Sequence, residues 1–256
     1  MLRALLDGDV LLRQAKTRLA RVAATLRGRG ASLAVLGDTR LREGVEADQV
    51  RVWLESAAEG NGGWKALATH APRAGEGRGS SAAGVLVWID ESVWEVQRSA
   101  VVLASRIMSV ELKRKGEETE FTLIAAYMPP RDGIGRRWEE EGQAVWDTLA
   151  AEVARVEASG RELAVAGDLN AETWAALRAA NRESTESDEA LWVMMLLHRL
   201  TGLAGPGPTH VQQLAGREAV ESRIDHWLVS DGLADGCTGG VGADGEDRRH
   251  AAGEEG

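Results

Sequence analysis

The stretch LAVAGDLNAE, residues 163–172, joins a short apolar run to two polar residues and then to a segment that favours a helix. Small and apolar side chains over 163–166 are typical of a buried strand. In extended chain, Asp168 and Asn170 would point the same way, because side chains alternate with a period of two. Two interpretations remain open from these residues alone. Asn170 could cap the following helix, or both residues could form a chemical site at a strand end.

The composition limits the classes of function. With 256 residues, 44% of them hydrophobic, the chain can bury the core of one large domain. A net charge of −10 argues against binding nucleic acid by charge alone, unless basic residues cluster or a metal ion offsets the acids. The single cysteine, Cys237, allows no intrachain disulfide and no multi-cysteine zinc site.

The sequence predicts neither a signal peptide nor a membrane span. Asp7 and Asp9 interrupt the apolar N-terminus, and no apolar run approaches the ~20 residues that cross a bilayer. We therefore expect an intracellular protein.

The apolar patterns predict a mixed α/β domain over residues 1–234 and a poorly ordered, Gly- and acid-rich tail over 235–256. Residues 56–83 are rich in Gly, Ala and Ser and are interpreted as loop. Strands are expected within 32–41 and over 84–89, 101–112, 120–128, 162–167 and 223–230. Helices are expected over 9–28, 136–158, 171–181 and 187–200.

Acidic residues stand at the ends of three predicted strands: Asp38, Asp168 and Asp225. Sheets covered by helices often bind ligands at strand ends, where the loops diverge. Several carboxylates in one crevice repel each other, and a cation relieves that repulsion. Oxygen ligands favour Mg²⁺, Mn²⁺ or Ca²⁺. The pattern therefore indicates a site for a hard metal ion.

Five motifs occur in the order of a known family. LAVLGDTRL resembles a strand ending in Gln-Glu-Thr, AAGVLVWI a Gly-Gly-Val-Ala strand, and IAAYMPP a Val-Tyr-Ala-Pro motif. LAVAGDLNAE resembles Gly-Asp-Phe/Leu-Asn, and SRIDHWLVS resembles Arg-Ile-Asp-Tyr-Ile. Together they resemble the endonuclease/exonuclease/phosphatase superfamily over about residues 10–230. The SRIDH and YMPP sequences are most similar to endonuclease domains of LINE-type retrotransposons. The resemblance implies an α/β, two-sheet sandwich flanked by helices, like that of deoxyribonuclease I.

The resemblance also implies catalytic roles for four residues. Asp168 would orient or deprotonate the attacking water, and Asn170 would hold the water and the phosphate. Tyr127 would donate a hydrogen bond to the phosphate. Asp225 would pair with the family's catalytic histidine.

A metal ion and substrate contacts complete the implied site. Mg²⁺ or Mn²⁺ would be bound by Asp38, which stands where the family has a glutamate, and by Asp247. Arg40 directly follows the expected site and is a candidate phosphate contact. His210, placed in a loop, could line the substrate groove.

The sequence departs from the family at both ends. The family's first strand, which carries an asparagine of the metal site, is expected to be missing, because the sequence begins at the following helix. Asp38 is one methylene shorter than glutamate. Arg248 stands at the histidine position, and arginine cannot act as a base near neutral pH. His250 lies two residues later. The last strand is therefore expected to be missing or degenerate.

These observations leave three functions open. The first is metal-dependent, DNA-nicking phosphodiester hydrolysis of the retrotransposon type, with weak turnover. The second is a catalytically degenerate remnant that keeps the fold and weak DNA binding. The third is hydrolysis of a small phosphoester, which suits the acidic charge. The first predicts a monomer that acts on DNA, in the nucleus, with a reverse transcriptase polypeptide as its partner.

Overall fold

Two main sheets with helices packed outside them form the fold, as the sequence predicts. The computed structural model describes residues 21–22, 24–26, 28–39, 63–69, 83–129, 141–203, 209–212 and 220–234. The small sheet contains β1 (Leu33–Leu36), β2 (Trp64–Ala68) and β3 (Leu86–Asp90), all antiparallel, in the order β1-β3-β2.

The large sheet has six strands, and a separate pair of short strands lies outside it. The first four large-sheet strands are β4 (Trp94–Leu103), β5 (Ile107–Arg114), β6 (Glu120–Tyr127) and β7 (Glu162–Asp168). The later strands are β8 (Thr201–Gly202), β9 (His210–Gln212), β10 (Val220–Ser222) and β11 (Asp225–Val229). The sheet order is β4-β5-β6-β7-β11-β8, and β9 pairs with β10. Only β6 and β7 run parallel within the large sheet.

Four helices are described from end to end: α1 (Gln143–Ala158), α2 (Trp174–Ala179), α3 (Glu186–Leu197) and α4 (Asp231–Ala234). Residues 21–22, 24–26 and 28 are also helical, within the helix expected over 9–28. Each of the two central helices begins at a threonine cap. The hydroxyl of Thr173 accepts the amide of Ala176, and Thr185 forms a capping box with Asp188, which satisfies amides that a helix start leaves unpaired. None of the described helices is long and apolar enough to cross a membrane.

The central strands of the large sheet are buried on both faces, whereas most residues of the edge strands β4 and β8 are exposed. Towards the small sheet, Leu123 and Val110 pack with Val87 and Ile89. On the opposite face, Ile124 and other apolar side chains of β6 and β7 pack against α1 and α3. Fully burying one such side chain contributes about 1.5–3 kcal/mol. Because both faces are covered, β6 and β7 read as continuous apolar runs in the sequence.

Two local interpretations of the sequence are wrong. The presumed loop 56–83 contains β2, whose residues Trp64 and Ala66 are buried beside β3; flanking glycines hide this short strand in the sequence. The apolar run 101–112 is the end of one strand and the start of the next. The chain turns between them at Ser105, whose φ is +66°. The parts of the chain where we expected the family's N-terminal and final strands to be missing or degenerate, and the tail 235–256, lie outside the described residues.

Gly167 allows the two parallel strands to approach each other closely. Its φ is +137°, and a Cβ atom there would lie 2.0 Å from the carbonyl oxygen of Ala126 on β6. Since that oxygen belongs to the backbone of a central strand, only a shift of one strand could relieve the clash.

We predict that Gly167→Ala destabilises the fold by more than about 2 kcal/mol, as overpacking and strain at one site do. Urea unfolding monitored by Trp fluorescence measures this. Gly116→Ala is the matched control, since Gly116 also has a positive φ of +77° but has open space around it. The Gly116→Ala variant should lose only ~1–2 kcal/mol of unfolding free energy, the cost of the left-handed conformation for alanine. Equal losses for the two variants would contradict the steric explanation.

Candidate functional site

Three polar residues stand side by side where strands of the large sheet end. Tyr127 is the last residue of β6, Asp168 is the last of β7, and Asp225 is the first of β11. The strand registers pair Tyr127 with Asp168 and Asp225 with Asp168. Residues in register on adjacent strands share one face of a sheet. For this row it is the face that contacts the small sheet, where Tyr127 packs.

The small sheet brings a third carboxylate to this row. A Cβ atom on Gly37, just after β1, would lie 3.1 Å from Cβ of Asp168 and 3.1 Å from Cδ2 of Tyr127. The chain therefore crosses directly over the row, and Asp38 follows. Asp38 has a φ of +48°, a left-handed conformation that aspartate tolerates better than most residues.

Thr39 anchors this crossing and contains a polar atom with no assigned partner. Its amide donates to the carbonyl oxygen of Gly84 at 3.2 Å. Its hydroxyl oxygen is buried, and within the described ranges it has no hydrogen-bond partner. Buried hydroxyls are normally paired. A water or ligand atom beside Asp38 would satisfy this one.

Crowding changes the protonation of Asp168. Burial raises the pKa of its carboxyl group to about 7, and the negative charges of Asp225 and Asp38 add to that rise. The amide of Asn170 partly opposes the shift by donating to Oδ1 of Asp168 at 3.0 Å. A carboxyl group that titrates near neutral pH is suited to take a proton from water, because the ideal base has a pKa near the working pH.

Two local expectations for Asn170 are wrong: its extended geometry relative to Asp168, and its role as a helix cap. Strand β7 ends at Asp168, and Asn170 has a left-handed φ of +46°, so the two side chains are not related by extended geometry. Asn170 is not the helix cap either, because Thr173 caps α2. Instead the side-chain amide of Asn170 donates through Nδ2 to the carbonyl oxygen of Met128 at 2.7 Å. That bond ties the loop after β7 to the end of β6.

A set of buried polar contacts fixes the same loop from behind. Glu172 donates its amide to Oδ1 of Asp188 at 2.6 Å, and its carboxylate accepts from Arg182 at 2.6 Å. His226 contacts the carbonyl oxygen of Ala171 through Nε2 at 2.7 Å. His226 lies on the face opposite Asp225 and is buried, as the alternation along the strand indicates. Burial also lowers the pKa of His226, which favours a neutral, structural imidazole.

Arg106 is a site residue that sequence reasoning missed. It lies in the turn before β5, and its guanidinium carbon is 5.0 Å from the centroid of the Tyr127 ring. Its carbonyl oxygen accepts the amide of Tyr127 at 2.9 Å. A cation stacked on a tyrosine face is held by the ring's quadrupole. No local sequence pattern reveals this pairing, since the two residues meet only through the β5–β6 register.

The remaining predicted residues are only partly placed. Arg40 and Asp247 lie outside the described residues. His210 begins strand β9, opposite Ser222, and is therefore not in a loop as we expected. Its neighbour Thr209 has a role that the sequence did not show. The Thr209 hydroxyl accepts the amides of Ile224 at 3.0 Å and Asp225 at 3.1 Å, which fixes the start of β11.

The carboxylate oxygens of the row fit a hard cation, provided that water or substrate supplies some of its ligands. Asp38, Asp168 and Asp225 interact electrostatically, and their oxygens are the ligand type that Mg²⁺ prefers. Among the described residues, however, no three His, Cys, Asp or Glu side chains form a group that could hold a metal ion. Mg²⁺ commonly uses one or two carboxylates and completes its shell with water and substrate phosphate. The site is compatible with that mode.

Comparisons with known proteins agree in fold. No protein-family model matches the sequence, and no curated protein is detectably similar to it. Solved structures do match. The endonuclease domain of TRAS1, a telomere-specific non-LTR retrotransposon, is 18% identical with a TM-score of 0.53, over 86% of this chain and 81% of that one.

Two further structures extend the comparison. The AP endonuclease LMAP from Leishmania major is 15% identical with a TM-score of 0.64, over 91% of this chain and 77% of that one. A mannosyl-6-phosphatase from Bacteroides thetaiotaomicron is 13% identical with a TM-score of 0.55, over 88% and 81%. Together with the two packed sheets, these likenesses show that the chain has the fold of the endonuclease/exonuclease/phosphatase proteins.

Proposed function

We propose that this chain is a metal-dependent phosphodiesterase that nicks DNA, with slow turnover. One observation carries the proposal. The register of β6, β7 and β11 sets Tyr127, Asp168 and Asp225 in one row, and the approach of Gly37 brings Asp38 to it. Activation of water next to a phosphate needs a base and a hydrogen-bond donor, which the crowded carboxylates and the tyrosine hydroxyl can supply. The likeness to two endonucleases in fold supports DNA as the substrate.

Each residue has a distinct role in the proposed reaction. Asp168, ionised, accepts a proton from the water that attacks phosphorus. Asn170, held by Met128, retains a second N–H and an amide oxygen for the phosphate and the water. Tyr127 donates its hydroxyl to a phosphate oxygen. Asp225 takes the position that pairs with the catalytic histidine in the family. Since arginine stands at the histidine position in this sequence, the leaving oxygen takes its proton from solvent water, in keeping with slow turnover.

The proposed metal ion is Mg²⁺ or Mn²⁺. Asp38 would hold it together with Asp247, which lies outside the described residues. When bound, such an ion offsets the negative charge that develops on the phosphate. Within the part of the chain that the structure describes, the hydroxyl of Thr39, next to Asp38, has no hydrogen-bond partner, which supports an extra oxygen ligand or water at this place.

A degenerate remnant is the second candidate, and one observation favours it. The described residues offer no three-ligand metal group, and Asp38 is both shorter than glutamate and left-handed. A glutamate would be strained in that conformation. Metal binding would therefore be weak, and the fold could persist with DNA binding alone.

Hydrolysis of a small phosphoester is the third candidate. The mannosyl-6-phosphatase shares the fold, and the net charge of −10 repels polyanionic DNA more than it repels a small monoester. The proposal that the chain acts as a monomer, in the nucleus, beside a reverse transcriptase polypeptide follows from the retrotransposon likeness alone. The proposed boundary of the catalytic domain at residue 234 follows from the Gly- and acid-rich composition of residues 235–256.

Supercoiled plasmid with Mg²⁺ or Mn²⁺ tests the proposed function. We expect slow conversion to nicked circles, lowered at least 100-fold by Asp168→Ala and by Asn170→Ala, since each removes a group that acts on the water or phosphate. Asp147→Ala, an exposed carboxylate on α1, should nick at the parental rate. Absence of nicking with DNA still bound would support the remnant. Release of phosphate from small phosphoesters alone would support the third candidate.

Removal of one carboxylate tests the proposed metal ligand. Asp38→Asn keeps a residue that tolerates the left-handed backbone but lowers the charge of the ligand set. We predict at least a tenfold rise in the Mg²⁺ concentration for half-maximal nicking, with little change in the rate at saturating Mg²⁺. An unchanged Mg²⁺ dependence would remove Asp38 from the metal site.

The raised pKa of Asp168 predicts a pH-dependent stability in EDTA. An unfolded aspartate ionises near pH 3.9, whereas the folded group has a pKa of about 7. Between these values the folded protein keeps a proton that the unfolded chain has released. Stability therefore falls as pH rises from about 4 to about 7, then stays level.

Asp168→Asn removes that loss. We predict that this variant equals the parent near pH 4 and exceeds it by up to about 4 kcal/mol at pH 8. Urea unfolding across this pH range measures the difference. A constant difference between the two proteins would show that Asp168 does not titrate near 7.

A further inference from the structure

The outer helical layer contains an apolar surface that the catalytic site does not use. On α3, four large apolar side chains are 44–69% exposed: Trp192, Val193, Leu196 and Leu197. Their spacing of one, four and five residues places them in one stripe along the helix. We call Trp192, Val193, Leu196 and Leu197 the α3 stripe. Contiguous apolar exposure of this kind usually marks a binding surface.

A groove runs beside the α3 stripe, between α1 and α3. Its volume is about 370 Å³, and Val193, Leu197 and Met194 form part of its apolar lining. Trp146 of α1 lies in its wall and is buried. The Trp146 indole N–H has no hydrogen-bond partner among the described residues. A buried donor without an acceptor is unfavourable, but this nitrogen is too deeply buried to contact a molecule in the groove, so the apolar lining and the charge of the rim decide what the groove binds.

The charge around the groove is negative. Asp147, Glu186 and Glu189 line it and are exposed, and the described lining residues include no Lys or Arg. The one titratable nitrogen, on His198, already contacts Glu157 at 2.7 Å. An occupant with apolar side chains on one side and Lys or Arg on the other would match both the stripe and the rim.

We propose that this groove binds a basic, amphipathic helical segment of a partner polypeptide. The 12 residues of α3 extend for ~18 Å at 1.5 Å per residue, enough to pair with about three turns of a partner helix. Such a helix would insert apolar residues spaced by three and four into the groove. Its basic side chains would face the three acids.

Other occupants fit the same surface less well. A second copy of this chain would bring the acids of both copies together, and like charges across an interface are unfavourable. An anionic membrane surface would be repelled for the same reason. The groove lies on the α1/α3 face of the large sheet, whereas Asp168 faces the small sheet. A docked helix would therefore leave the catalytic row open, and this inference stands whether or not the chain cleaves DNA.

The test uses a fluorescent 14-residue peptide of leucine and lysine, with leucines at helical spacing, and the full chain. Fluorescence anisotropy should show saturable binding that weakens as salt rises. Val193→Asp should weaken it at least tenfold. Val101→Asp is the matched control, because Val101, on β4, is 55% exposed against 44% for Val193, and it should change binding less than twofold. Glu189→Lys should also weaken binding of this peptide.

Three results would overturn the proposal. A peptide of the same composition in scrambled order could bind equally well, which would show attraction by charge alone. Val101→Asp could weaken binding as much as Val193→Asp. Sedimentation could reveal a dimer that Val193→Asp dissociates, which would assign the stripe to self-association. Circular dichroism confirms that each variant folds, and Leu197→Asp replaces Val193→Asp if the latter does not.

Discussion

The close approach of β6 and β7 at Gly167 is the constraint on which the site depends. A side chain at this position would collide with the backbone of Ala126, so only glycine allows the parallel pairing to continue to the strand ends. That pairing sets Tyr127 beside Asp168, and the antiparallel β11 then adds Asp225. The row exists because three strands end at one level with their side chains on one face.

The same row is electrostatically unfavourable in the absence of a cation. Burial and two neighbouring carboxylates keep Asp168 partly protonated near neutral pH, which reduces folded-state stability above that range. The structure offsets this with rigid support behind the loop. Glu172, Asp188 and His226 hold its backbone, while Met128 holds Asn170. Functional groups that are unfavourable by themselves commonly persist when well-paired neighbours fix them.

The two faces of the large sheet present different groups. The face towards the small sheet ends in the carboxylate row. The opposite face buries α1 and α3 and leaves the α3 stripe exposed. A partner bound to the outer face, as proposed above, would not contact the proposed catalytic row. Asp188 connects α3 to the loop after β7, because its side chain takes part in the capping box of α3 and also accepts the amide of Glu172.

Much of the fold could be predicted from the sequence, since apolar periodicity and strand-end acids are local signals. They located β1, β3, β6, β7, β11 and the helices α1, α2 and α3, and the motif order indicated the two-sheet sandwich. Strands that are short or lie next to an unmarked turn were not predicted correctly. β2 has only five residues, and the turn at Ser105 carries no glycine or proline to mark it.

The sequence by itself determined which residue types stand at the strand ends: acids at 38, 168 and 225, a tyrosine at 127, and a glycine at 167. Only the tertiary structure decided how they meet. Strand register placed the row, the turn before β5 brought Arg106 to Tyr127, and left-handed backbone at Asp38 and Asn170 redirected two side chains. These features depend on pairings between segments far apart in the chain. Such pairings are set by packing across the sheets, and no local pattern of residues records them.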